Sequence, residues 1–380
     1  MGRWDCISID LKPIDKGTFE KVENEFLELN RTESINASEF EILTATAFKI
    51  FTEKKVKFGV VEVGMGGRLD ATNILQNQVV SVISKIGLDH QQYLGNTLEQ
   101  IASHKAGILR PSVPYIVNRK NQKIVRSIIS DHANEIGAGP PVSVELNELE
   151  QLSIWRQSTD HLAEFQKDNV LCALAAVSTA IEHEKGGVSQ NKYELLKALP
   201  GMGKEIPALV GRLQQKDLSG IFGGIKLLLD GAHNLDAVEE LALYLKQRRT
   251  KNITWIFAMS EGRDPRQFLS HLLQPGDNVI TTEFGPVEGM PWVKATPSAA
   301  LLEVAHTVEP EVNGVDAGTD LLWALFIAKY LVNREDPLLV VTGSLYLIAD
   351  VFRLLRNVET GEYNGLYQSI DLGAREALRI

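Results

Sequence analysis

The sequence predicts two α/β domains in one chain, each built on a mostly parallel sheet with helices packed against it. Short apolar runs of strand length alternate with longer stretches of helical spacing over residues 6–355. Parallel strands need such intervening helices for their crossovers. A loop-like stretch, residues 201–224, contains Pro207 and several glycines, and the alternation restarts after it. At 380 residues the chain is also about twice the usual size of a domain. The expected division is residues 1–213 and 214–380.

In order, residues 6–9 read as a short strand and 18–29 as a helix. Residues 40–51 read as an apolar helix, announced by a capping box of Ser38 and Glu41. Residues 58–63 have the length and apolarity of a buried strand, which breaks at once into Gly64-Met65-Gly66-Gly67-Arg68-Leu69-Asp70. A strand at 79–86 runs into Gly87-Leu88-Asp89-His90, and a helix at 98–109 is stopped by Pro111. Strands at 114–117 and 142–144 and helices at 122–136, 165–182 and 193–199 complete the first half. In the second half, strands at 226–229, 253–258, 278–282 and 338–342 alternate with helices at 235–248, 265–273, 318–332 and 345–355. Residues 361–380 carry no readable signal.

The charge balance excludes some functions. With 39 Lys and Arg against 49 Asp and Glu, the formal charge is -10, the wrong sign for a general binder of nucleic acid or anionic membrane. Cys6 and Cys172 form neither a disulfide framework nor a zinc pattern and fit a reducing compartment. No run reaches the roughly 18 apolar residues of a membrane span, and Met1-Gly2-Arg3-Trp4-Asp5-Cys6 has no signal core. A protein of the cell interior that meets small molecules is expected.

Polar residues gather where strands should end, the usual ligand position in α/β sheets. Glu62 closes an apolar run in front of glycines. Such a carboxylate binds a metal or is paired, Arg68 being the nearest partner. His90 is a ligand or a satisfied histidine, and Asp230 and His233, in Asp230-Gly231-Ala232-His233-Asn234, contact a ligand or form a capped turn. Arg212, at the domain boundary, clamps a phosphate or is solvated. The glycines at 64, 66 and 67 lack the third-glycine spacing of a dinucleotide fingerprint, and Gly201-Met202-Gly203-Lys204-Glu205 has Glu where a phosphate loop needs a hydroxyl.

Taken together, Glu62-Val63-Gly64-Met65-Gly66-Gly67-Arg68-Leu69-Asp70-Ala71-Thr72-Asn73, Leu88-Asp89-His90, Lys105-Ala106-Gly107-Ile108 and Asp230-Gly231-Ala232-His233-Asn234 resemble the folylpolyglutamate and dihydrofolate synthase branch of the Mur ligase superfamily. Gln166-Lys167-Asp168-Asn169, Val287-Glu288-Gly289-Met290-Pro291-Trp292 and Thr342-Gly343-Ser344-Leu345-Tyr346 extend the resemblance, the last two toward the fungal dihydrofolate synthases.

The resemblance implies a Mur-ligase-type ATPase domain, truncated at its start, followed by a Rossmann-like C-terminal domain. It implies an ATP-dependent ligase that activates a pteroate or folate carboxylate as an acyl phosphate for attack by L-glutamate. Glu62, His90 and a carbamylated Lys105 match the ligands of magnesium or manganese, and these three carry the catalysis. Asn169, Arg212 and Asp230 match ATP contacts, with His233 near them. Leu69, Asp70 and Ala71 match the pterin site, with Phe40 and Glu41 as another wall. A monomer is expected, in the cytoplasm, or in mitochondria if an upstream extension carries a presequence. The family's phosphate loop lies upstream of the position matched by Trp4, so an incomplete ligase is expected. A non-catalytic folate-binding or regulatory protein is the alternative.

Overall fold

The computed structural model describes residues 2–142, 153–186, 209–218, 225–248, 252–332 and 338–360, together with 373, 374 and 378. Two compact units emerge, Trp4–Pro207 and Ala208–Ile380, the latter with Met1–Arg3.

A 3-10 turn, Arg3–Cys6, leads into the first unit and its antiparallel hairpin of the two-residue strands β1 (Ser8–Ile9) and β2 (Lys12–Pro13). Of the strand expected at 6–9, Cys6 closes the turn and only Ser8–Ile9 pair as a strand. Helix α1 (Lys16–Thr32) starts where Asp15 accepts the Thr18 N–H at 2.8 Å. Helix α2 (Glu39–Glu53) has the expected capping box: the Ser38 N–H donates to Glu41 Oε2 at 2.7 Å, and the Glu41 N–H to Ser38 Oγ at 3.3 Å. Phe19 and Val22 of α1 bury against Ile50 of α2 and Ile7, closing a small core.

A parallel pair follows, β3 (Ser81–Ile83) and β4 (Tyr115–Val117). Helices α3 (Gln91–Leu94) and α4 (Leu98–Ala106) lie between them in sequence, and α5 (Lys123–Ile136) follows. Ile83, Ile101, Ala102, Val125 and Ile129 form the core between strands and helices. Helices α6 (Ser153–Thr159) and α7 (Glu164–Glu184) complete the described part. Residues 58–63, expected as a strand, pair with nothing among the described residues, and Val60 is 97 % exposed. An apolar run becomes a strand only where a neighbour offers a ladder of N–H and C=O groups. The strand expected at 79–86 shrinks to three residues for the same reason. Most of the strand expected at 142–144 and the helix at 193–199 lie outside the described residues.

The second unit is one six-stranded sheet. Its strands are β5 (Gln214–Asp217), β6 (Lys226–Leu229), β7 (Thr254–Phe257), β8 (Asn278–Thr281), β9 (Asn313–Asp316) and β10 (Leu338–Thr342). The order is β5-β6-β10-β7-β8-β9, parallel except for the antiparallel edge pair β5–β6. Helices α8 (Leu235–Gln247), α9 (Pro265–Leu269), α10 (Ser298–Val308), α11 (Leu321–Leu331) and α12 (Leu345–Glu359) supply the crossovers and the tail. The last strand in sequence enters between the first two parallel ones. Such a reversal of strand order marks the carboxyl ends of these strands as the ligand position of open α/β sheets. No described helix is long and apolar enough to cross a membrane.

Candidate active site

The glycine loop of the first unit is a platform for Lys105. The Arg68 N–H donates to the His104 carbonyl at 2.9 Å, and the Arg68 guanidinium donates to the carbonyl and hydroxyl of Ser103 at 3.1 and 3.3 Å. A Cβ on Gly67 would stand 2.9 Å from the His104 carbonyl and 3.1 Å from that of Lys105, so glycine is required for this approach. Asp70 then caps the 3-10 turn Ala71–Ile74, accepting from the Thr72 N–H at 3.0 Å and hydroxyl at 2.6 Å, while its other oxygen takes the Met65 N–H at 2.9 Å. The Asn73 amide bridges the Arg68 and Gly107 carbonyls at 3.0 and 3.1 Å.

Lys105, in the last turn of α4, is partly buried, and burial lowers its pKa. The charges of Asp89, Asp70 and Glu62 act on it in the opposite direction. Glu62 is exposed, and the alternative in which Arg68 pairs with it is not formed, because Arg68 serves Ser103. His90 is exposed with a left-handed backbone (φ 51°), and its N–H donates to Asp89 Oδ1 at 2.8 Å. That conformation is uncommon outside glycine and recurs at functional positions. Among the described residues no three His, Cys, Asp or Glu side chains gather closely enough to hold a metal by themselves.

The expected pterin wall divides. Phe40 is half-exposed with its ring against the loop, since a Cβ on Gly64 would come within 2.5 Å of its Cζ. Glu41 is committed to capping α2, and hydrogen bonds from Ser38 hold its carboxyl below the usual range. Leu69 is 86 % exposed, and Ala71 lies in the 3-10 turn capped by Asp70. Asn169 is exposed on α7, beside the buried Asp168. Sequence reasoning missed Asp89 as a neighbour of Lys105, although it adjoins His90 in the motif.

In the second unit Asp230 stands at this reversal point, one residue beyond β6. It is buried and accepts the N–H groups of Leu213 at 2.8 Å and Ala232 at 2.9 Å. Burial raises its pKa, while those two bonds and the charges of Arg212 and His233 oppose the rise. His233 Nδ1 lies 2.7 Å from the Gly231 carbonyl; as the carbonyl only accepts, Nδ1 carries the proton. Arg263, in the loop after β7, donates to the His233 carbonyl at 2.9 Å. Ser344, at the end of β10, is buried and caps α12 through the Tyr346 N–H. Arg212, Asp230 and His233 thus converge, and Arg263 joins them from a loop whose sequence gave no sign of it.

Two α/β units with charged residues at their strand ends are the architecture of many small-molecule enzymes, and the comparisons give the class. Residues 217–354 match the family model for the dihydrofolate synthetase C-terminal domain. A probable dihydrofolate synthetase of Schizosaccharomyces pombe is 33 % identical over 372 residues, 93 % of this chain and 84 % of that protein. The dihydrofolate synthetase of Saccharomyces cerevisiae is 31 % identical over 92 % of this chain and 83 % of that protein. E. coli FolC, solved with DHPP and ADP, superposes with a TM-score of 0.70 at 25 % identity, covering 92 % of this chain and 78 % of that one. The chain belongs to the dihydrofolate synthase and folylpolyglutamate synthase family. The similarity to enzymes over 92–93 % of the chain does not favour the non-catalytic alternative.

Proposed function

We propose that this protein joins L-glutamate to dihydropteroate at the expense of ATP. The observation that carries this reading is the order of likeness: two fungal dihydrofolate synthetases at 33 and 31 % identity, against 26 % for a probable folylpolyglutamate synthase of Saccharomyces cerevisiae. ATP phosphorylates the pteroate carboxylate, and the glutamate amine then displaces phosphate to form the amide. The participants are these small molecules, with no nucleic acid or membrane, in a monomeric protein of the cytoplasm.

Lys105 acts as a carbamate in this reading. Burial lowers its pKa and so raises the neutral fraction whose lone pair adds to carbon dioxide, with loss of a proton. The product is an anion in place of an ammonium, the third donor that Glu62 and His90 lack. These oxygen and nitrogen donors suit magnesium or manganese. When bound, the cation neutralises charge on the transferring phosphates. Asn169, Arg212, Asp230 and His233 hold the nucleotide, while Phe40, Leu69, Asp70 and Ala71, with Glu41 behind them, face the pterin.

The test is product analysis with ATP, magnesium and glutamate, offering dihydropteroate and tetrahydrofolate separately. Dihydropteroate should become dihydrofolate with stoichiometric ADP and phosphate. Exclusive extension of tetrahydrofolate would overturn the choice of acceptor. Lys105→Ala should abolish ligation while the protein melts as the parent does.

A further inference from the structure

We propose that Asp168 is a positioning residue of the nucleotide site, acting through its pairing with Arg119. The proposal rests on the reading of Asn169 as a nucleotide contact. Asp168 is 2 % exposed, on the second turn of α7, and precedes Asn169 directly. Its Oδ1 accepts from Arg119 Nε at 2.6 Å, across 49 residues of sequence. Oδ2 is also buried and has no hydrogen-bond partner among the described residues.

Arg119 leaves a loop that is itself pinned. The Asn118 N–H donates to the Ile83 carbonyl at 2.8 Å, tying the end of β4 to the end of β3. Buried Asn121 accepts the Ile86 N–H at 2.8 Å and donates to the Ser84 carbonyl at 2.9 Å. The Lys120 N–H donates to Asn118 Oδ1 at 2.9 Å. The loop therefore copies the position of the strand ends, and the ion pair passes that position to the helix that carries Asn169.

Arginine–carboxylate pairs frequently engage both carboxylate oxygens through the guanidinium fork. Here one oxygen is engaged and the other is left buried, while Arg119 remains 43 % exposed at the carboxyl edge of the sheet. A buried carboxylate facing a half-exposed guanidinium fixes a direction more than it seals a core.

The experiment measures ADP affinity by calorimetry and thermal melting in the full chain, with dihydropteroate affinity as the internal control. Asp168→Asn and Arg119→Lys should each weaken ADP about tenfold, as loss of a supporting shell does, with dihydropteroate binding unchanged. The double variant should be no weaker than either single one, and the exchanged pair Asp168→Arg with Arg119→Asp should recover part of the loss. A lower melting point with ADP affinity intact, or equal losses for both ligands, would overturn the proposal. Asn169→Ala separates it from the reading beneath it. If that variant binds ADP as the parent does, or the parent binds none, the nucleotide site itself is misplaced and the proposal falls with it.

Discussion

The Arg68 N–H donates to the carbonyl of His104 at 2.9 Å, which joins the glycine loop to the helix turn that presents Lys105. The two segments are 36 residues apart, so loop and helix hold the amine together, and the glycines answer to packing as much as to ligand approach.

Gly67→Ala should therefore act on Lys105 without touching it. The new Cβ meets backbone carbonyls and Ile108 Cγ2 at 2.9 Å, none of which yields easily. Overpacking of this kind costs about 1–3 kcal/mol. Denaturant unfolding should show that loss in the first unit, together with a fall in ligation; unchanged stability would mean the loop does not rest on α4.

Asp70→Ala removes the acceptor for the N–H groups of Met65 and Thr72 and for the Thr72 hydroxyl. Loss of a cap destabilises by about 1 kcal/mol, and by up to about 2 in protein hosts. Asp70→Asn keeps one acceptor oxygen and should recover part of that stability. If Asp70 also faces the pterin, neither variant recovers full affinity for dihydropteroate, which a binding titration would read.

Asp230 should give a pH dependence of unusual sign. Burial holds its folded pKa above the ordinary value of 3.8. Between the two values the folded state binds more protons than the unfolded state, so this group's contribution to stability falls as pH rises through that window. Relative to the parent, Asp230→Asn should thus gain stability as pH rises above the ordinary carboxylate value, while losing nucleotide affinity. A difference independent of pH would place the carboxyl at its ordinary value.

The two thiols should react at different rates. Burial, and then the neighbouring charge of Asp168, push the Cys172 thiol up to about 11, whereas Cys6 is exposed. At pH 8 only about a thousandth of Cys172 is thiolate, the reactive form. A thiol reagent should titrate one group quickly and the second only on unfolding.

What was legible in the sequence was local. Helix α2 follows from Ser38 and Glu41 because a capping box is decided within four residues. The apolar strands β6 and β10 stand where their runs lie. Elements without such signals were missed. Edge strand β5 is Gln-Gln-Lys-Asp, β9 is Asn-Gly-Val-Asp, and α10 begins after Pro297 with no side-chain cap.

The sequence by itself also determined the inventory of chemistry: the glycines, the carboxylates, Lys105, and the residues that mark the family. Only the tertiary structure decided how they combine. It put β10 between β6 and β7, left residues 58–63 without a ladder, joined the glycine loop to the helix turn that presents Lys105, and gave Asp168 to Arg119. The reason is physical. Caps and turns are settled by atoms a few residues apart, whereas ladders and ion pairs form between segments whose meeting depends on the packing of the whole unit.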